Sequence, residues 1–136
     1  MTTVPVETIA RRWYPTRPDV LLRLEALAEL VVICVAYQHL NPGKWGMFAL
    51  FFLAPDVSLL GYALPNKRVA AAFYNVLHCS VLPLALGLFA WAYTRPLAGE
   101  LALIWLAHIS FDRLVGYGLK FPSEFKRTHI QTSALG

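Results

Sequence analysis

The chain has 136 residues, of which 57% are hydrophobic and only 15% charged, and its mean hydropathy is +0.52. These values lie outside the range of ordinary soluble domains and predict a single integral membrane domain. The formal net charge of +4 comes from basic residues that are spread along the chain without forming a run, which argues against a nucleic-acid-binding protein.

Four apolar stretches are each long enough to cross a bilayer, which takes ~17–25 helical residues. Short segments rich in Pro, Asn and Gly separate the stretches, so consecutive helices must run antiparallel. The sequence therefore predicts an all-α membrane protein, an up-down bundle of four transmembrane helices. The predicted spans are 20–37, 45–64, 69–93 and 97–119; together they form a transmembrane domain, 20–119, between an N-terminal arm, 1–19, and a C-terminal tail, 120–136.

The distribution of Lys and Arg predicts the orientation of the bundle. Basic residues are frequent in the arm, in the second connection and in the tail, whereas the first and third connections carry only Lys44 and Arg95. Because short basic segments stay on the cytoplasmic side, we expect both termini to be cytoplasmic.

Ionisable side chains lie inside the spans at nearly the same depth. A charge at mid-bilayer costs ~2.5–3.5 kcal/mol on insertion scales, so such groups indicate a functional polar interior. At a rise of 1.5 Å per residue, antiparallel helices would bring them within about one helical turn of each other, slightly cytoplasmic of the midplane. The residues concerned are Glu29, Asp56, His78, His108 and Asp112.

Four of these residues form a candidate metal site and catalytic site. His108 and Asp112 share a helix face because they are four residues apart, and Asp56 and His78 could complete the site from facing helices. The expected cofactor is a divalent metal, Zn or Fe. Two alternatives remain open: Asp112 could only orient His108, and Asp56 could mark a helix kink at Pro55.

Other polar residues are expected to support the site. Glu25 is expected to form a salt bridge with a nearby arginine, and Asn75 could join helices through a hydrogen bond. Gly116 and Gly118 are expected to pack closely or to end the last span. The predicted supporting residues are Glu25, Glu29, Asn75, Arg113, Tyr117 and His129.

The polar segments carry a family resemblance. The stretches 22–25, 52–62, 74–78, 108–113 and 116–120 and the tail pair Thr128-His129 resemble a family of small bacterial membrane proteins known as domain of unknown function 4260. The resemblance covers about residues 20–130 and implies a four-helix membrane protein with no stated activity. The polar residue types are also similar to the ligands of a membrane hydrolase superfamily that includes the alkaline ceramidases, whose members have seven spans.

Three functions are compatible with these residues. The first is a metal-dependent membrane enzyme in which Asp56, His78, His108 and Asp112 act on a lipid or another apolar substrate. The second is a proton- or ion-coupled transporter or channel subunit, which would require a homo-oligomer because four short helices enclose little space. The third is a haem protein with His78 and His108 as axial ligands.

Overall fold

The chain forms α-helices, one 3₁₀ segment and a short β-ribbon over residues 18–63, 65–121 and 124–128, which the computed structural model describes. The first helix is long, the middle of the chain consists of shorter pieces, and the last helix is long again. The elements are α1 (Pro18–Leu40), α2 (Trp45–Phe52), the 3₁₀ segment (Ala54–Ala63), α3 (Lys67–Leu77), α4 (Val81–Ala92), α5 (Pro96–Val115), β1 (Lys120–Phe121) and β2 (Glu124–Thr128).

Helix α5 is the centre of the packing, because it contacts α1, α2, α4 and the 3₁₀ segment. It begins with Pro96, which is tolerated there because an N–H in the first turn has no acceptor within the helix. It ends at Gly116, which has the left-handed φ of +96° that favours glycine at a helix end. The expectation that Gly116 ends the last span is therefore confirmed.

The second predicted span changes its helix type at Pro55. Helix α2 ends at Phe52, and the Asp56 N–H then donates to the Leu53 carbonyl at 3.1 Å, which begins the 3₁₀ segment. Pro55 has no N–H to continue the α-helical pattern. The expected kink is present, but it leads into ten residues of 3₁₀ helix rather than back into an α-helix.

The third predicted span, drawn as one helix over 69–93, is interrupted. Helix α3 ends at Leu77, His78 is its C-cap, and α4 begins only at Val81. Pro83 accounts for the position of the break, because it cannot donate to the carbonyl of Cys79 four residues earlier. The Leu77 carbonyl accepts instead from the indole Nε1 of Trp105 at 2.7 Å.

The segment after α5 adds a short β-ribbon to the predicted helical architecture. Lys120 and Phe121 pair antiparallel with the strand Glu124–Thr128, so the tail begins with a β-ribbon. The strand β1 has only two residues, too few for an alternating pattern to be recognised in the sequence. The helical architecture itself is confirmed over the described spans.

Small and polar side chains fill the interior, while large apolar side chains point outward. Six alanines are buried, whereas Val32, Leu50 and Leu88 are 66%, 74% and 64% exposed. By length and composition, the segment Lys67–Ala92 could cross a membrane, and a shorter apolar helix covers Trp45–Gly61. The buried alanines are Ala26, Ala70, Ala71, Ala90, Ala102 and Ala107.

Candidate metal centre

Asp56, His78, His108 and Asp112 converge, and we refer to them as the Asp/His cluster. One ligand atom from each lies within 4.8 Å of all the others. Both imidazoles and Asp112 are largely buried, and Asp56 is 36% exposed. The sequence prediction that these four side chains share one polar layer is confirmed.

Each break in the helices positions one member of the cluster. Asp56 lies at the start of the 3₁₀ segment, directly after Pro55. His78 is the C-cap of α3, at the interruption before α4. His108 and Asp112 lie one turn apart on the continuous helix α5, which provides the rigid side of the site.

The distances within the cluster have the pattern of a tetrahedral metal site. The two Nε2 atoms of His78 and His108 are 3.2 Å apart, and Asp56 Oδ1 is 3.5 Å from each of them. Asp112 Oδ2 is 3.5 Å from His78 Nε2 and 3.6 Å from His108 Nε2. Ligands at 2.0–2.1 Å from a tetrahedral zinc ion are separated by ~3.3–3.4 Å. The five separations that involve an imidazole nitrogen are therefore close to the expected value, and the sixth, between the two carboxylates, is within 4.8 Å.

The imidazole–carboxylate distances of 3.5–3.6 Å are longer than those of strong hydrogen bonds between charged groups. Charge-assisted hydrogen bonds between an imidazolium and a carboxylate measure ~2.7–2.9 Å. A single imidazole proton can join only one pair of these atoms, which leaves the other lone pairs facing each other. A cation among the four atoms would remove this repulsion.

A backbone carbonyl orients the imidazole of His78. His78 Nδ1 is 3.0 Å from the Tyr74 carbonyl, which can only accept, so Nδ1 carries the proton and Nε2 presents its lone pair to the cluster. A carbonyl partner of this kind is typical of metal-binding histidines. His108 Nδ1 is buried without a hydrogen-bond partner among the described residues, and its Nε2 lies 3.2 Å from that of His78.

Tyr74 and Lys120 lie beside the cluster, where the strand that follows α5 begins. The Tyr74 ring stacks on His78 with centroids 3.8 Å apart, its hydroxyl donates to Asp112, and the Lys120 ammonium lies 4.2 Å from its centroid. Burial lowers the pKa of Lys120, while the carboxylates of Asp112 and Asp56 oppose part of that shift. Neither Tyr74 nor Lys120 was a predicted site residue.

Asn75 joins a helix to the segment after α5, rather than one helix to another. Its Nδ2 donates to the Lys120 carbonyl at 2.9 Å, and its Oδ1 accepts from the Lys120 N–H at 2.7 Å. Asn75 therefore fixes the backbone of Lys120 beside the Asp/His cluster, which gives it a supporting role.

The remaining predicted residues lie outside the cluster. Glu29 is exposed and accepts a hydrogen bond from Ser110 at 3.2 Å, so it does not join the polar layer. Glu25 is exposed and forms no ion pair with any side chain that the structure describes, while Arg113 donates to Ser80 at 3.1 Å. Tyr117 is exposed. His129 lies outside the described residues.

A second buried polar group was not predicted from the sequence. Glu100 is 1% exposed; its carboxylate accepts from the Tyr37 hydroxyl at 3.0 Å and from Lys44 Nζ at 2.9 Å. We refer to Glu100, Tyr37 and Lys44 as the Glu100 lock. The sequence did contain a signal for this group: Lys44 is the single cation of the first connection. Antiparallel packing brings that connection to the beginning of α5, where Glu100 lies.

The geometry excludes the haem alternative. Axial ligands lie on opposite faces of the macrocycle, and with Fe–N bonds of ~2 Å their nitrogens must be ~4 Å apart with the porphyrin between them. The two Nε2 atoms are 3.2 Å apart and the carboxylates of Asp56 and Asp112 approach both of them. No porphyrin fits between these imidazoles.

Comparison with known families identifies the chain. The family model described as a domain of unknown function (DUF4260) matches residues 19–132, and the protein belongs to this family. Neither the curated proteins nor the solved structures contain a match.

Proposed function

We propose that this protein is a metal-dependent enzyme of the bacterial inner membrane that acts on a lipid or another apolar substrate near the cytoplasmic leaflet. One observation carries the proposal: four metal-ligating atoms of the Asp/His cluster lie within 4.8 Å of one another, and the separations that involve an imidazole Nε2 are 3.2–3.6 Å, close to those of tetrahedral ligands.

The distribution of side chains supports a bundle of four spans. In lipid, helices associate through small residues and internal polar contacts, while large apolar residues face the acyl chains. This bundle buries alanines, Ser110 and Glu100 and exposes valines and leucines. With the Lys/Arg distribution of the sequence, both termini would be cytoplasmic.

The four ligands would have unequal roles. His78, His108 and Asp112 are the more buried members and would hold the ion permanently, which matches the three protein ligands of many catalytic zinc sites. Asp56 is 36% exposed and would act as the exchangeable fourth ligand or as the base for a water molecule. A bound divalent ion supplies a nucleophilic water at neutral pH.

A proton relay is the second candidate. A cavity of about 10 Å³, large enough for about one water molecule, adjoins His78 and Asp112 and is also lined by Tyr74 and Tyr117. It offers a route for protons between the cytoplasmic side and the cluster, as a proton-coupled transporter subunit would need.

Metal content separates the two candidates. The protein would be purified in detergent without chelators, and its Zn, Fe and Mn content measured by mass spectrometry, together with His108→Ala, Asp112→Asn and the matched control His39→Ala. His39 is exposed in the last turn of α1, a helix that carries no member of the cluster. We expect about one ion per chain in the wild type and in His39→Ala, and a loss in the two site variants. A wild-type protein that is folded but retains no ion, also after reconstitution with Zn²⁺ or Fe²⁺, would overturn the enzyme proposal and favour the relay.

A further inference from the structure

An apolar pocket adjoins the Asp/His cluster, and none of its lining residues is a member of the cluster. Its volume is about 260 Å³, and its lining includes Ala54, Pro55, Leu77, Ile104 and Trp105. Pro55 directly precedes the ligand Asp56, and Leu77 directly precedes the ligand His78. Ile104 lies one turn before His108 on α5. Three of the elements that line the pocket therefore also carry ligands of the cluster.

The wall of this pocket offers hydrocarbon and almost no hydrogen bonds. Its polar indole, from Trp105, already donates to the Leu77 carbonyl that the helix break leaves open. The other lining residues are apolar side chains. A pocket without free donors or acceptors favours a hydrocarbon chain, because any polar group placed there would lose its hydration without compensation.

A cation lies on the opposite side of the cluster. Along α5 the order is Ile104 and Trp105 at the pocket, His108 and Asp112 in the cluster, and then Lys120 beyond the turn at Gly116. Asn75 holds the backbone of Lys120 with two hydrogen bonds. A bound divalent ion would balance the charges of the two carboxylates, and the Lys120 ammonium beside them would then supply a further positive charge.

We infer that the protein binds a single-chain anionic amphiphile, with its hydrocarbon chain in the pocket next to Trp105 and its anionic head between the Asp/His cluster and Lys120. This inference rests on the proposed function and names its substrate class. A fatty carboxylate and an alkyl phosphate share this chemistry. The order of pocket, cluster and cation matches the orientation of such a molecule in the cytoplasmic leaflet, tail toward the midplane and head toward water.

Photo-crosslinking in a bilayer tests this assignment on the full chain. The protein would be placed in nanodiscs of zwitterionic phospholipid, loaded with Zn²⁺, and exposed to hexadecanoic acid that carries a diazirine in its chain. Labelled peptides would be identified by mass spectrometry. We expect labelling of the peptide that contains Trp105 to be displaced by unlabelled hexadecanoate and by hexadecyl phosphate, and not by methyl hexadecanoate. Displacement by only one of the two anions would identify the head group.

Two variants with matched controls separate the tail from the head. Ala54→Phe should fill the pocket and abolish displaceable labelling. Ala49→Phe, at an exposed position in the preceding helix α2, should retain the labelling. Lys120→Gln should weaken competition by hexadecanoate ~tenfold, the effect of about one lost charge interaction. Arg68→Gln, at an exposed cation, should leave competition unchanged.

The outcomes distinguish this inference from the proposed function, because metal content is measured on the same samples. Metal-loaded protein whose labelling is not displaceable, or is displaced equally by methyl hexadecanoate, would overturn the inference and leave the metal site intact. Displaceable labelling that survives Ala54→Phe would also overturn it. Protein without metal would overturn the enzyme proposal, and the inference with it.

Discussion

Two buried polar groups at opposite ends of the same bundle differ in how their charges are satisfied. In the Glu100 lock, each carboxylate oxygen meets a donor at an ordinary hydrogen-bond distance, 3.0 Å from the Tyr37 hydroxyl and 2.9 Å from Lys44 Nζ. In the Asp/His cluster, imidazole nitrogens and carboxylate oxygens face each other at 3.2–3.6 Å. The first group has a donor for each carboxylate oxygen, whereas the second has the arrangement of a group that could hold a cation.

The comparison assigns different roles to the two groups. The Glu100 lock ties the first connection to the beginning of α5, because the Tyr37 hydroxyl lies 2.9 Å from the Lys44 carbonyl as well and shares its single proton between that carbonyl and Glu100. Its contribution should appear in stability. The Asp/His cluster should contribute to metal binding, and only through the metal to stability, because binding to the folded state alone raises its apparent stability.

The largest expected effect is the loss of metal in His108→Ala. Removing a ligand should weaken metal binding by more than the ~100-fold that loss of an outer hydrogen-bond partner costs, which is more than ~3 kcal/mol. Competition with a chromophoric chelator measures the affinity, and circular dichroism in detergent checks the fold. Wild-type affinity in this variant would remove the distinction between the two groups.

The next effect is a loss of stability in Lys44→Met. This change leaves the Glu100 carboxylate buried with one donor and should cost about 2 kcal/mol, less than the ~3–5 kcal/mol of a fully buried pair because Lys44 is half-exposed. Denaturation in mixed micelles measures the free energy of unfolding, and metal affinity should not change. The double variant Lys44→Met/Glu100→Gln should recover stability because no buried charge remains; a double variant as unstable as the single one would contradict the lock.

A smaller effect on both properties is expected for Trp105→Phe. The change leaves the Leu77 carbonyl without its indole donor, at a cost of ~1–3 kcal/mol for a buried acceptor. His78 follows Leu77 directly, so metal affinity should also fall, by less than in His108→Ala. Both assays apply, and a variant that loses neither stability nor affinity would show that this hydrogen bond does not fix the break.

The smallest effect is expected for Gly116→Ala. An added Cβ would lie 2.6 Å from Arg23 Nη2, and alanine is strained at a φ of +96°. The guanidinium is exposed and can move, so we expect a loss of about 1 kcal/mol in unfolding experiments and unchanged metal affinity. A stability equal to that of the wild type would contradict this prediction, because it would mean that the backbone at residue 116 adopts another conformation without cost.

The Asp/His cluster could be predicted because membrane burial restricts the choices. Ionisable residues are costly inside a span, so their depth alone indicated that Asp56, His78, His108 and Asp112 meet. Glu29 satisfied the same criterion, and only the rotation of α1, which depth does not determine, turned it away. Glu100 was overlooked because it lies near the predicted end of a span, where charges are ordinary.

The breaks in the helices were harder to predict than the helices themselves. Pro55 gave a local signal for the first break, although its continuation as a 3₁₀ segment depends on the packing of that segment against α3. The break after Leu77 is stabilised by Trp105, twenty-eight positions further along the chain, whose indole donates to the Leu77 carbonyl. Contacts at such separations cannot be derived from a pattern within one span.

X-ray absorption at the metal edge tests the central claim most directly. For the protein purified with its native metal, the account predicts about one ion per chain with four nitrogen or oxygen ligands at ~2.0–2.1 Å and the outer-shell scattering of two imidazoles. His39→Ala should give the same spectrum, and His78→Ala should lose the ion. A folded protein that binds no ion, or an ion coordinated without imidazole, would contradict the account.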